Sequence, residues 1–179
     1  PHRPTPPDAT PLGPRSVTSP HGYIATHDPV IAAEGQGQVE STTVTTPDGT
    51  EYPAKLIGRD ESSDLAVLKI SALKPLPFVH FGDSTKSRVG DWVIAIGNPF
   101  TLGGTVTAGI VSAYSRDIGE QYVDYIQIDA PINRGNSGGP TFDIDSRVIG
   151  VTTVNYAPNG AYAGNGFAIP AEVPESHTR

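Results

Sequence analysis

The chain has 179 residues, of which 36% are hydrophobic and 17% charged, enough for one large domain or two small barrels sharing a core. Its net charge of −7 argues against nucleic acid or an anionic membrane surface as the main partner. It holds no apolar run of the ~18 residues that a membrane-spanning helix needs, and with no cysteine it excludes disulfides and thiolate metal sites.

Residues 1–16 carry five prolines in the first eleven positions. Proline removes a backbone donor and fixes φ, so this stretch reads as an extended arm, not a helix or a central strand. From residue 17 onward the texture is that of short strands. Candidates fall at 23–26, 39–46, 52–59, 65–70, 92–96, 104–114, 126–129, 141–143, 148–155 and 166–169. Turn signals punctuate them at Pro47-Asp48-Gly49, Asp145-Ser146 and Pro158-Asn159-Gly160. The 20 glycines and 18 prolines favour many turns over long helices. The expectation is an all-β barrel or sandwich. Residues 71–88 hold two prolines, two lysines and Gly82-Asp83-Ser84, the texture of a connection between two halves. The expected division is an arm (1–16), a first barrel (17–75), a connection (76–88), a second barrel (89–170) and a tail (171–179).

The stretch richest in chemistry is Gly135-Asn136-Ser137-Gly138-Gly139-Pro140. Three glycines in six residues cost backbone entropy and mark a sharp turn or a close approach. A serine at the apex of such a turn, with backbone N–H groups converging beside it, is the arrangement of a nucleophile next to an oxyanion hole. Such a serine needs a base and an acid to orient the base. Asp64, immediately before the apolar run Leu65-Ala66-Val67-Leu68, is the candidate acid; on its own it reads more readily as a turn residue than as an acid.

With these residues together, the chain resembles the protease domain of the HtrA (Deg) family of chymotrypsin-like serine proteases. The matching blocks include Asp64-Leu65-Ala66-Val67-Leu68-Lys69, Gly90-Asp91-Trp92-Val93-Ile94-Ala95-Ile96-Gly97-Asn98-Pro99-Phe100, Thr105-Val106-Thr107-Ala108-Gly109-Ile110-Val111-Ser112, the hexapeptide at 135–140, and Gly166-Phe167-Ala168-Ile169-Pro170. They run almost without gaps from Asp48 to Pro170. The resemblance implies two packed six-stranded β-barrels of the chymotrypsin/trypsin-like kind with a site between them. It makes Ser137 the nucleophile, Asp64 the orienting acid, and the N–H groups of Gly135, Asn136 and Ser137 the oxyanion hole. It implies no metal and no organic cofactor.

The base departs from the family pattern. The family ends this segment Asn-His-Val, whereas here it reads Gly22-Tyr23-Ile24-Ala25-Thr26-His27-Asp28-Pro29-Val30. Pro29 therefore stands at the histidine position, and proline has no titratable nitrogen. His27 lies two residues upstream, about 6–7 Å along a strand. Either the loop is remodelled so that His27 supplies the imidazole, or the site lacks a base.

Pro131, six residues before Ser137, is not acidic, so the primary pocket should not select Lys or Arg. Ile132, Thr153, Val154 and Asn155 are expected to line the substrate cleft, with 153–155 pairing main chain to main chain with an extended substrate. Asn136 stands where digestive relatives carry an aspartate, so activation by a new N-terminal ammonium is not expected. The resemblance implies an ATP-independent endopeptidase of protein quality control acting on unfolded polypeptides in an extracytoplasmic, periplasmic compartment. The alternative is a catalytically impaired pseudoprotease that holds unfolded chains. Family members are often trimeric, so a homotrimer is the assembly the resemblance allows. The chain ends at Arg179, and no PDZ domain is expected within it.

Overall fold

The structure is a computed structural model that describes residues 15–27, 41–60, 63, 65–97, 104–119, 124–132, 136–155 and 164–173. The N-terminal half is built around β5 (Leu65–Ile70), a run of apolar residues buried on both faces. Such a strand belongs at the centre of a sheet, where both edges can be paired. It lies between β2 (Tyr23–His27) and β4 (Glu51–Asp60); β1 (Ser16–Val17) and β3 (Ser41–Thr45) complete the antiparallel order β1-β2-β5-β4-β3. Ile24, Val44, Ala54, Ala66, Leu68 and Ile70 form its core.

The C-terminal half closes on itself. Strands β6 (Trp92–Gly97), β7 (Thr105–Arg116), β8 (Tyr125–Ile128), β9 (Pro140–Phe142), β10 (Val148–Asn155) and β11 (Gly166–Pro170) form a closed barrel in the order β10-β11-β8-β7-β6-β9. Closure removes the free edges that strands would otherwise expose. Val93, Ala95, Val111, Ile126, Ile128 and Ile149 are among the side chains that fill it.

The sequence expectation of an all-β, chymotrypsin-like chain holds. Six strands form the second half, as expected, while the first half is a five-stranded half-barrel sheet among the described residues. Strand β1 escaped the sequence reading because two residues carry no alternation. The strand expected at 39–46 is described only as Ser41–Thr45, and residues 28–40 lie outside the described part.

A third apolar cluster joins the halves. Leu65, from the first sheet, packs with Tyr125, Val151, Phe167 and Ile169 of the barrel, and the Tyr125 and Phe167 rings meet edge to face. Each such side chain fully buried is worth about 1.5–3 kcal/mol. The connection after β5 straps across both halves. Leu76 and Val79 donate backbone hydrogen bonds to Pro20 and Val17, and Gly82 and His80 exchange backbone bonds with Val148. It then forms a single 3-10 turn, Ser84–Lys86, capped by the Asp83 side chain. The Thr85 hydroxyl, with Lys86 beside it, holds the Asp83 carboxyl below its ordinary range. Glu172, just after β11, accepts the Ser84 backbone N–H at 2.7 Å and the Ser84 hydroxyl at 2.6 Å.

Candidate active site

Ser137 sits in the turn that enters β9. Gly138 takes φ of 88°, a conformation that only glycine adopts at little cost, and the chain reverses there. The turn is stapled to β10 by backbone bonds. Gly138 N–H donates to Thr152 O at 2.7 Å, Thr152 N–H donates to Gly139 O at 2.9 Å, and Gly139 N–H donates to Asn136 O at 3.0 Å. A side-chain contact between the Thr141 and Thr152 hydroxyls, 3.0 Å apart, backs the staple from inside the barrel.

Strand β10 bends where it meets this turn. In its pairing with β11, Thr152 faces Ala168 and Val154 faces Phe167, so Thr153 is an extra residue in the ladder. Bulges of this kind re-aim groups beside functional sites. Here the Thr153 carbonyl accepts the Ser137 hydroxyl at 2.6 Å. The single hydroxyl proton of Ser137 is therefore given to the main chain of β10 in this state. On its other side, β10 pairs with β9 only up to Val151. The main-chain edge of Thr153, Val154 and Asn155 thus has no strand partner on that side among the described residues.

Asn136 is buried at 2% exposure, and its Nδ2 donates to the Pro131 carbonyl at 3.4 Å. Pro131 itself is exposed, while Ile132 is fully buried within the barrel core. The expected pocket residue is therefore a core residue of the barrel with almost no exposed surface.

His27 ends β2 opposite Leu65 and is buried at 6% exposure. His27 has a further interaction beyond this pairing, while its Nε2 is buried without a hydrogen-bond partner among the described residues. Strand β2, which ends at His27, packs against β10, the strand to which the Ser137 turn is bonded. Asp64, Gly135 and Pro29 lie outside the described residues, and the meeting of Asp64 with Ser137 expected from sequence lies outside them too. Ser63, two residues before Leu65, donates its hydroxyl to Asp60 at 2.6 Å. No cluster of three or more metal-binding side chains occurs among the described residues, and none of their helices is long and apolar enough to cross a membrane.

Sequence reading missed the bulge at Thr153 and its carbonyl as a partner of the serine. Nothing in Thr152-Thr153-Val154 marks which residue is extra, because register is a tertiary property.

A half-barrel sheet and a closed six-stranded barrel, with a serine on a glycine turn at their junction, define the chymotrypsin-like class of protein. A family model described as the trypsin-like peptidase domain matches residues 16–151. A "Probable periplasmic serine endoprotease DegP-like" of Bartonella henselae is 58% identical over 151 residues, covering 84% of this chain and 29% of that relative. A protein of the same description from Rickettsia prowazekii is 54% identical over 170 residues, covering 92% of this chain and 32% of the relative. Among solved structures, the HtrA-type protease AlgW with a decapeptide superposes with a TM-score of 0.84 at 38% identity, covering 98% of this chain and 59% of that one. AlgW with a tripeptide gives 0.83 at 43% identity, covering 92% of this chain and 53% of that one. The chain belongs to the trypsin-like peptidase family and, within it, to the HtrA (DegP-like) group. It spans about a third of the length of the curated relatives it matches, 29% and 32% for the two named.

Proposed function

We propose that this chain is the catalytic domain of an ATP-independent serine endopeptidase that cuts unfolded polypeptides outside the cytoplasm. The observation that carries the reading is the Ser137 turn, stapled to β10 at the junction of a trypsin-like fold. In the proposed cycle an extended substrate lies along the open main-chain edge of Thr153–155. The Ser137 Oγ attacks the scissile carbonyl carbon, and its proton passes to the His27 imidazole, oriented by Asp64. The carbonyl π pair becomes an oxyanion facing the N–H groups of Gly135, Asn136 and Ser137. Each such donor contributes roughly 2.7–4 kcal/mol to the transition state. Collapse breaks the C–N bond, the imidazolium protonates the leaving amine, and an acyl-Ser137 ester remains. Water, deprotonated by the same imidazole, hydrolyses that ester. The periplasmic description of the relatives supports the compartment.

A second reading is favoured by two observations. Pro29 occupies the family's histidine position, and the Ser137 hydroxyl donates to Thr153. On this reading the domain holds unfolded chains along β10 without cutting them.

Hydrolysis of unfolded casein separates the two. The endopeptidase reading expects fragments from the parent and a loss of several orders of magnitude in Ser137→Ala. Casein that binds parent and variant alike, uncut by both, would establish the holding module instead.

A further inference from the structure

Beneath the Ser137 turn two backbones touch with no space for a methyl group between them. Gly97 closes β6, and a Cβ built on it would stand 2.8 Å from both Cα and Cγ of Asn136 and closer still to Oδ1. Gly139 repeats the arrangement from the turn itself. A Cβ there would run into the Ile96 carbonyl oxygen and stand 3.0 Å from the Asn136 carbonyl oxygen. Gly97 is not among the glycines with positive φ, so its backbone would accept any residue. Space alone asks for glycine at this position.

The group that fills that space is the Asn136 side chain. It is buried; Nδ2 reaches the Pro131 carbonyl, while Oδ1 is buried without a hydrogen-bond partner among the described residues. A buried amide oxygen that lacks a donor is unfavourable. Its position is therefore imposed by packing, and Gly97 is what it packs on.

We infer that Gly97 is a positioning residue for the oxyanion hole. It seats the Asn136 side chain, and the seated side chain fixes the backbone from which the N–H groups of Asn136 and Ser137 project. A methyl group at Gly97 lifts Asn136 and turns those donors away from the oxyanion, while the edge of β10 that holds an extended peptide stays as it was. The inference rests on the serine-protease reading of the site.

The test compares two ligands. A peptidyl boronic acid with an apolar terminal residue forms an Ser137 Oγ–B bond. No group leaves, the hydroxyl proton passes to a base or water, and the tetrahedral boronate places a negative oxygen in the hole. The same peptide with hydrogen in place of the boronic acid group uses only the cleft. In Gly97→Ala, boronate affinity should fall about 100-fold, the scale of one lost oxyanion donor, while affinity for the truncated peptide changes less than about threefold. Adding Asn136→Gly to Gly97→Ala removes the crowded Cγ and Oδ1 but not the approach to Cα, and should restore boronate affinity only in part, by about tenfold. If Gly97→Ala does not fold, Asn136→Ala on the parent background serves instead, because it empties the seat from the other side. It should weaken the boronate by about tenfold and leave the truncated peptide unchanged. Equal losses for both ligands, or no loss for the boronate, would overturn the inference while leaving the serine-protease reading intact. A parent that forms no boronate adduct would overturn both.

Discussion

At the scale of single residues the account turns on who takes the Ser137 proton. His27 is buried at the end of β2, a strand that approaches β10. An imidazole can serve as general base when a nucleophile lies within its hydrogen-bond reach. If it serves, His27→Ala should lower casein hydrolysis by orders of magnitude. The double variant with Ser137→Ala should be no worse than either single one, since triad members act as a unit. Pro29→His, which restores the family pattern, should then give little gain. If instead His27→Ala matches a nearly inactive parent and Pro29→His raises the rate sharply, His27 is a structural residue and the proposed cycle loses its base. The sharp turn that carries Ser137 was legible from sequence, because Gly138 takes a positive φ and Gly139 has no space for a Cβ. The Thr153 carbonyl was not, since its position depends on a bulge that the local sequence leaves unmarked.

At the scale of elements, the glycine turn owes its shape to β10, and β10 owes its place to the connection that straps the halves. Glu172 clasps the start of the 3-10 turn through two bonds to Ser84, a residue only 4% exposed. Removing the carboxylate leaves a backbone N–H and a hydroxyl without their acceptor, at roughly 1–3 kcal/mol. Glu172→Ala should therefore lower Tm by several degrees, and Glu172→Gln, which keeps one acceptor oxygen, by less. Thermal melts of the three proteins check this, and identical Tm values would remove the clasp from the account. Apart from β1, the strands were readable to within two residues at each end. Leu65–Ile70 and Val148–Asn155 are apolar, β-branched runs bounded by turn residues, and such runs leave few alternatives. The 3-10 turn was not, because a single turn carries too little periodicity to stand out. The Glu172 clasp spans 88 residues, and nothing in either segment alone announces it.

At the scale of the whole molecule, the two halves meet where the apolar cluster of Leu65, Tyr125, Val151, Phe167 and Ile169 fixes β2 and β5 against the barrel. That junction brings Leu65 of the first sheet against barrel residues distant from it in sequence. In the proposed pocket, neither Pro131, which is exposed, nor Ile132, which is buried, offers an acid to a basic side chain. The proposed substrate pairing with the main-chain edge at residues 153–155 would read backbone rather than sequence. Cleavage sites mapped by mass spectrometry in a denatured protein should therefore follow apolar residues and spread over many sequences. A strong preference for Lys or Arg would contradict the pocket. The central claim is that Ser137 is an activated nucleophile in the folded chain. Its most direct test is to treat native protein with a fluorophosphonate and locate the adduct by peptide mass. The account predicts one phosphonyl group on Ser137, fluoride having left, with no adduct in Ser137→Ala or in urea-unfolded protein. Native protein that stays unlabelled, or that labels no faster than the unfolded chain, would contradict it.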